Sequence, residues 1–114
     1  MAYDITITSV AEAQLRSLTV REQRILESAI FSRLRDQPTT PTRAIKRLRP
    51  NPLAEFEFRV GDLRVLYNVQ GNTVVLLIVG RKIGNKLIVE GEEFHGHQDN
   101  PIDPTGNGSP GSTE

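Results

Sequence analysis

Apolar and polar residues alternate at the start of the chain. Tyr3, Ile5 and Ile7 are set against Asp4, Thr6 and Thr8. Side chains of a strand point alternately to its two faces, so residues 3–8 read as a half-buried strand. The period then changes. Ile25, Leu26, Ala29, Ile30 and Leu34 recur at spacings of three and four, which predicts a helix with one apolar stripe turned toward a sheet. Thr19 and Glu22 mark its start. At that spacing the hydroxyl accepts from one free backbone N–H and the carboxylate from another. Ser9 and Glu12 repeat the spacing and predict a short first helix ending near Leu18. The second helix is predicted over residues 20–36, before Pro38.

Residues 37–43, QPTTPTR, have loop composition. Ala44–Leu48 read as a short turn or edge segment ahead of Pro50-Asn51-Pro52. Three strands follow, Glu55–Val60, Leu63–Gln70 and Thr73–Arg81, with hairpin turns at Gly61-Asp62 and Gly71-Asn72. The run TVVLLIVG is continuously apolar, as expected of a central strand covered on both faces. Lys86–Glu90 reads as a last strand or extended segment. Residues 1–90 form the expected single domain. Residues 91–114 read as an acidic, Pro/Gly-rich, disordered tail.

Composition narrows the function classes. A chain of 114 residues with 37% hydrophobic content suits one small globular domain. No apolar run approaches the roughly 20 residues that cross a bilayer. The start MAYDITITSV lacks the basic and apolar stretches of a secretion signal. There is no cysteine, hence no disulfide or thiolate metal site. A cytoplasmic location is the expectation.

Net charge is zero, but the charges are not evenly spread. Residues 43–86 carry nine basic and three acidic residues, residues 1–42 five of each, and residues 87–114 six acidic and no basic ones. A cationic sheet surface predicts a polyanionic partner, nucleic acid or an acidic protein. The EGEE segment that follows is a candidate to fold back onto this surface. His95 and His97 have the spacing of a metal pair but no third ligand, so no metal site is assigned. Gly80 and Gly84 lack the Lys-Ser/Thr of a phosphate loop.

The stretches FEFRVGDLRVLY (residues 56–67) and IVGRK (residues 78–82) resemble the RelE/ParE toxin superfamily. The resemblance covers roughly residues 3–90. It implies an α+β fold of order β-α-α-β-β-β, with a further strand optional, in which a helix pair packs on one face of a small, twisted, mainly antiparallel sheet. RelE-like members cleave messenger RNA in the ribosomal A site, and ParE-like members poison DNA gyrase. Both are held by a cognate antitoxin. The resemblance therefore implies a toxin of a type II toxin–antitoxin pair, most simply a ribosome-dependent endoribonuclease that inhibits translation. A gyrase inhibitor, or a catalytically silent module acting with its antitoxin at operator DNA, are the alternatives. The implied partners are the antitoxin, the ribosome and mRNA. No cofactor and no membrane are implied.

Metal-free RNA cleavage needs a base for the ribose 2′-OH, cations for the phosphate and an acid for the leaving 5′-oxygen. Carried over from the family pattern, Arg59, Arg64, Arg81 and Lys82 are the candidate catalytic cations. Lys46, Arg47, Arg49 and Lys86 are candidate RNA-binding residues. The sequence departs from the pattern at two places. Glu57 stands where ribonuclease members carry a Lys, and Lys86-Leu87-Ile88 contains no C-terminal Tyr.

Overall fold

The computed structural model describes residues 2–94. The element order is β1 (Asp4–Ile7), α1 (Ser9–Arg16), α2 (Val20–Ala29) continuing as a π-helical turn (Ile30–Leu34), β2 (Ile45–Arg47), β3 (Phe56–Val60), β4 (Leu63–Gln70), β5 (Thr73–Ile83), β6 (Lys86–Val89) and β7 (Glu92–Glu93). The strands form one sheet in the order β2-β3-β4-β5-β6-β7, and β1 pairs with β5. The β1–β5 pairing is parallel; the others are antiparallel. The helices pack on one face, giving the expected α+β arrangement.

β5 serves two neighbours along one edge. Its first residues, Thr73–Leu76, pair with β1, and Arg81–Ile83 pair with β6. Between those stretches α1 supplies the missing partner. The Val79 N–H donates to Gln14 Oε1 at 2.8 Å. Gln14 is buried, and a buried N–H left unpaired would cost the fold, so this bond lets one edge change neighbours inside the core.

The helix starts differ in detail from the sequence reading. The N-cap of α1 is Thr8, whose side chain accepts from the Ala11 N–H at 3.1 Å. Thr8 still has extended backbone and donates its own N–H to Leu76 O, so the chain turns there rather than at Ser9. Glu12 is instead paired with Arg16 one turn on, at 3.0 Å. The Thr19–Glu22 box is present, with both bonds at 3.1 Å. Leu26, Ile30 and Leu34 are buried at a constant spacing of four. An α-helix would rotate such positions steadily off one face, and the wider π-helical turn takes up that drift. Ile25, assigned to the stripe from sequence, is 45% exposed.

The main core lies between the helices and the sheet. Leu15, Leu26, Ile30 and Leu34 meet Phe56, Phe58, Val65, Tyr67, Val74 and Val79. Tyr67 stacks on Phe56 with ring centroids 5.3 Å apart. Its hydroxyl is buried, and donates to the Pro38 carbonyl at 2.6 Å, tying the 37–43 loop to the sheet.

A smaller apolar cluster covers part of the opposite face: Ala54, Leu66 and Ile78, with Leu53, Leu87 and Phe94 packed against them. The two faces of β5 are set by a register shift. Leu66 faces Ile78, but Tyr67 faces Leu76, so Leu77 is an extra residue on β5.

The chain also continues past the domain boundary expected at residue 90. Glu90 (φ 53°) and Gly91 (φ 83°) form a tight left-handed turn. Glu92 and Glu93 then pair back on β6, and the Phe94 N–H donates to Leu87 O at 2.7 Å. Phe94 gives this return an apolar anchor that charge counting overlooked. The EGEE segment thus folds onto β6, with Glu93 3.7 Å from Lys86. His95, His97 and the rest of the proposed tail lie outside the described residues. Among the described residues no helix is long and apolar enough to cross a membrane.

Candidate polyanion-binding groove

The sheet face away from the helices carries a groove of about 430 Å3. Leu53, Leu66 and Leu87 line its floor. Lys46, Arg47, Arg49, Arg59 and Lys82 line its sides, together with the single carboxylate of Glu57. Those cations come from β2, the loop after it, β3 and β5, so only folding brings them together.

Local structure explains each position. Lys46 lies directly across from Glu57 in the β2–β3 pairing. Arg47, one residue on, lies across from Phe56 and sets its guanidinium 5.2 Å over that core ring, so it borders the groove but turns its charge to the helix side. Arg49 sits in a wall built by Asn51. The Asn51 side-chain amide donates to Arg49 O and Ala54 O, and its oxygen accepts from the N–H groups of Leu53 and Ala54. Residues 49–54 read only as a break in the sequence, and Asn51 is the shaping residue that reading missed. A signal was present, since Asn between prolines favours side-chain-to-backbone turns.

Arg59 and Arg64 face each other across β3 and β4. Like charges so placed repel unless each is compensated. Arg59 Nε donates to Glu57 Oε1 at 3.1 Å. Arg64 Nη1 instead donates to the Gly61 and Leu63 carbonyls, at 2.7 and 2.9 Å, bracing the β3–β4 turn. Its Nε is buried without a partner, and Arg64 is not among the groove's lining residues.

Arg81 and Lys82 part company. Lys82 lines the groove. Arg81 is on the helix side, where both its Nη atoms donate to the Glu22 carboxylate. The Arg81 hydrogen bonds, followed by the Thr19 N–H, hold the Glu22 carboxyl down at about 2. Of the RNA-binding candidates, Lys46, Arg47 and Arg49 line the groove, and Lys86 sits beyond its edge, beside Glu93. Of the catalytic candidates, Arg59 and Lys82 line it. Among the lining residues there is no Tyr or His. Among the described residues no group of His, Asp or Glu is arranged to hold a metal ion.

No family model matches the chain, and neither does any curated protein. A solved structure does. A chain of the RelBE2 toxin–antitoxin complex from Mycobacterium tuberculosis is similar at a TM-score of 0.63 and 28% identity, over 72% of this chain and 100% of that one. A helix pair on one face of a mainly antiparallel sheet is the frame common to this similarity and to the motif resemblance. The chain has the RelE-like toxin fold.

Proposed function

We propose that this chain is the toxin of a type II toxin–antitoxin pair, and that it cleaves messenger RNA on the ribosome. The observation that carries the reading is the combination of a RelE-like fold with a groove into which Lys46, Arg49, Arg59 and Lys82 converge around one carboxylate. The solved neighbour is itself part of a toxin–antitoxin complex, which supports a cognate antitoxin as partner. The cations suit a phosphodiester backbone and the negative charge that develops during in-line attack by the 2′-oxygen. The apolar floor leaves room for a base or sugar. Cleavage of this kind gives a 2′,3′-cyclic phosphate and a free 5′-hydroxyl.

RNA is preferred to gyrase because the cations converge on the sheet, whereas the helix pair is of ordinary length, with α1 of 8 residues and α2 of 10 followed by a five-residue π-helical turn. Induced alone, the protein should arrest growth, and its antitoxin should relieve the arrest. Primer extension on translated messages should show new cuts, with naked RNA largely intact. Arrest accompanied by gyrase-linked DNA breaks and intact messages would select the gyrase reading. Soluble protein without arrest would leave the silent module.

A further inference from the structure

The geometry points to Glu57 as the general base that removes the 2′-OH proton in this groove. The inference rests on the ribonuclease reading above and names a residue for a step that reading leaves unassigned. Glu57 lies on β3 with its side chain 14% exposed, facing the same groove as the cations. Facing it are Lys46 from β2, Arg49 from the segment that follows, Arg59 from its own strand and Lys82 from β5. All four are donors with no lone pair to offer at neutral pH. The Asn51 oxygen is occupied by two backbone N–H groups. Glu57 is therefore the lining side chain equipped to accept a proton.

Its setting fits that task. Arg59 Nε donates to Oε1 at 3.1 Å and fixes the carboxylate, while Oε2 has no hydrogen bond from the described residues. A phosphate drawn between Arg59 and Lys82 brings the adjacent ribose over Glu57. The carboxylate takes the 2′-OH proton and the 2′-oxygen attacks phosphorus. The P–O5′ bond breaks, and the 5′-oxygen takes a proton from water. The protonated Glu57 then loses its proton to solvent, so nothing is oxidised or consumed. Glu at a position where relatives carry Lys becomes an exchange of roles rather than a lost phosphate contact.

The test compares wild type, Glu57→Gln and Glu57→Asp in single-turnover cleavage on programmed ribosomes from pH 4.5 to 8.5, with ribosome affinity measured in parallel. Gln keeps the carbonyl that accepts from Arg59, so the groove stays assembled. Melting curves that match wild type check this. Loss of about a hundredfold or more in the cleavage rate is expected for Gln, with ribosome affinity unchanged or tighter. The acid limb of the pH profile should vanish with Gln and persist with Asp, which should retain part of the rate. Gln cleaving within threefold of wild type would overturn the base assignment and leave the ribonuclease reading intact. So would a slow Gln variant that keeps the acid limb, because Glu57 would then only position Arg59. A wild-type protein that binds ribosomes and cuts nothing would overturn the ribonuclease reading itself, and the base with it.

Discussion

Two side chains carry unusual weight for their size. The Tyr67 hydroxyl is buried and its only hydrogen bond among the described residues joins the sheet to a loop carbonyl. Burial also pushes its pKa well above the ordinary phenol value, so it stays a donor at any working pH. Tyr67→Phe keeps the ring stacked on Phe56 but strands the Pro38 carbonyl. A loss of about 1–3 kcal/mol is expected, read as a lower urea midpoint at unchanged slope. An unchanged midpoint would show that the loop rearranges to reach water.

Glu22 makes a prediction about acid. Its folded pKa, about 2, lies below the ordinary 4.5, so the carboxylate stabilises the fold at neutral pH. That contribution is lost as pH falls from about 4.5 toward 2. Wild type should therefore lose melting temperature faster than Glu22→Gln over that window. The pair is partly exposed, so added salt should shrink the difference. Parallel melting curves across the window would remove Glu22 from the account.

At the level of elements, the β5–β6 junction depends on a missing side chain. A Cβ on Gly80 would lie 2.6 Å from the Ile88 carbonyl oxygen and 2.9 Å from the Val89 side chain. Backbone on one side and a packed valine on the other leave little to yield. Gly80→Ala should cost about 1–3 kcal/mol, concentrated in β6 and β7. Hydrogen exchange should rise at Ile88 and Phe94 while the β3–β4 amides stay protected. Uniform loss of protection would mean that β6 and β7 belong to the same cooperative unit as the core. The Val-Gly-basic-basic motif thus has a packing reason, because Gly80 lets β6 close over β5 beside the groove.

On the scale of the molecule, the two faces of the sheet separate stability from binding. Arg81 clamps α2 to β5, and Lys82 faces the groove. If the groove binds message, Lys82→Ala should weaken ribosome or RNA affinity. It should also flatten the salt dependence by about 0.7 in logarithmic slope, the release expected per single-stranded phosphate contact. Arg81→Ala should leave that slope unchanged and lower the melting temperature instead. The reverse pattern would place the nucleic acid on the helix side. Strand alternation gives these neighbours opposite faces, and a single extra residue, Leu77, decides which face each takes by flipping every side chain after it relative to the start of β5.

Local chemistry was enough to read much of this from the chain. The alternation of Tyr3, Ile5 and Ile7 specified β1, the Thr19–Glu22 spacing specified the start of α2, and the glycine turns bounded β4. The motif at residues 56–67 named the fold that the solved toxin–antitoxin chain shares. Each of these rests on interactions within a few residues or on a pattern written contiguously. What the tertiary structure decided depends on pairings between distant segments. The register shift beside Leu66 sent Lys82 into the groove and Arg81 to Glu22. Arg64 turned to the carbonyls of its own hairpin, Gln14 completed an edge of β5 from α1, and Phe94 anchored a strand expected to be tail. Glu57 looked in sequence like a misplaced charge. Strands meeting from four parts of the chain made it the lone carboxylate in a cationic groove, because proximity in a sheet is set by register and not by sequence distance.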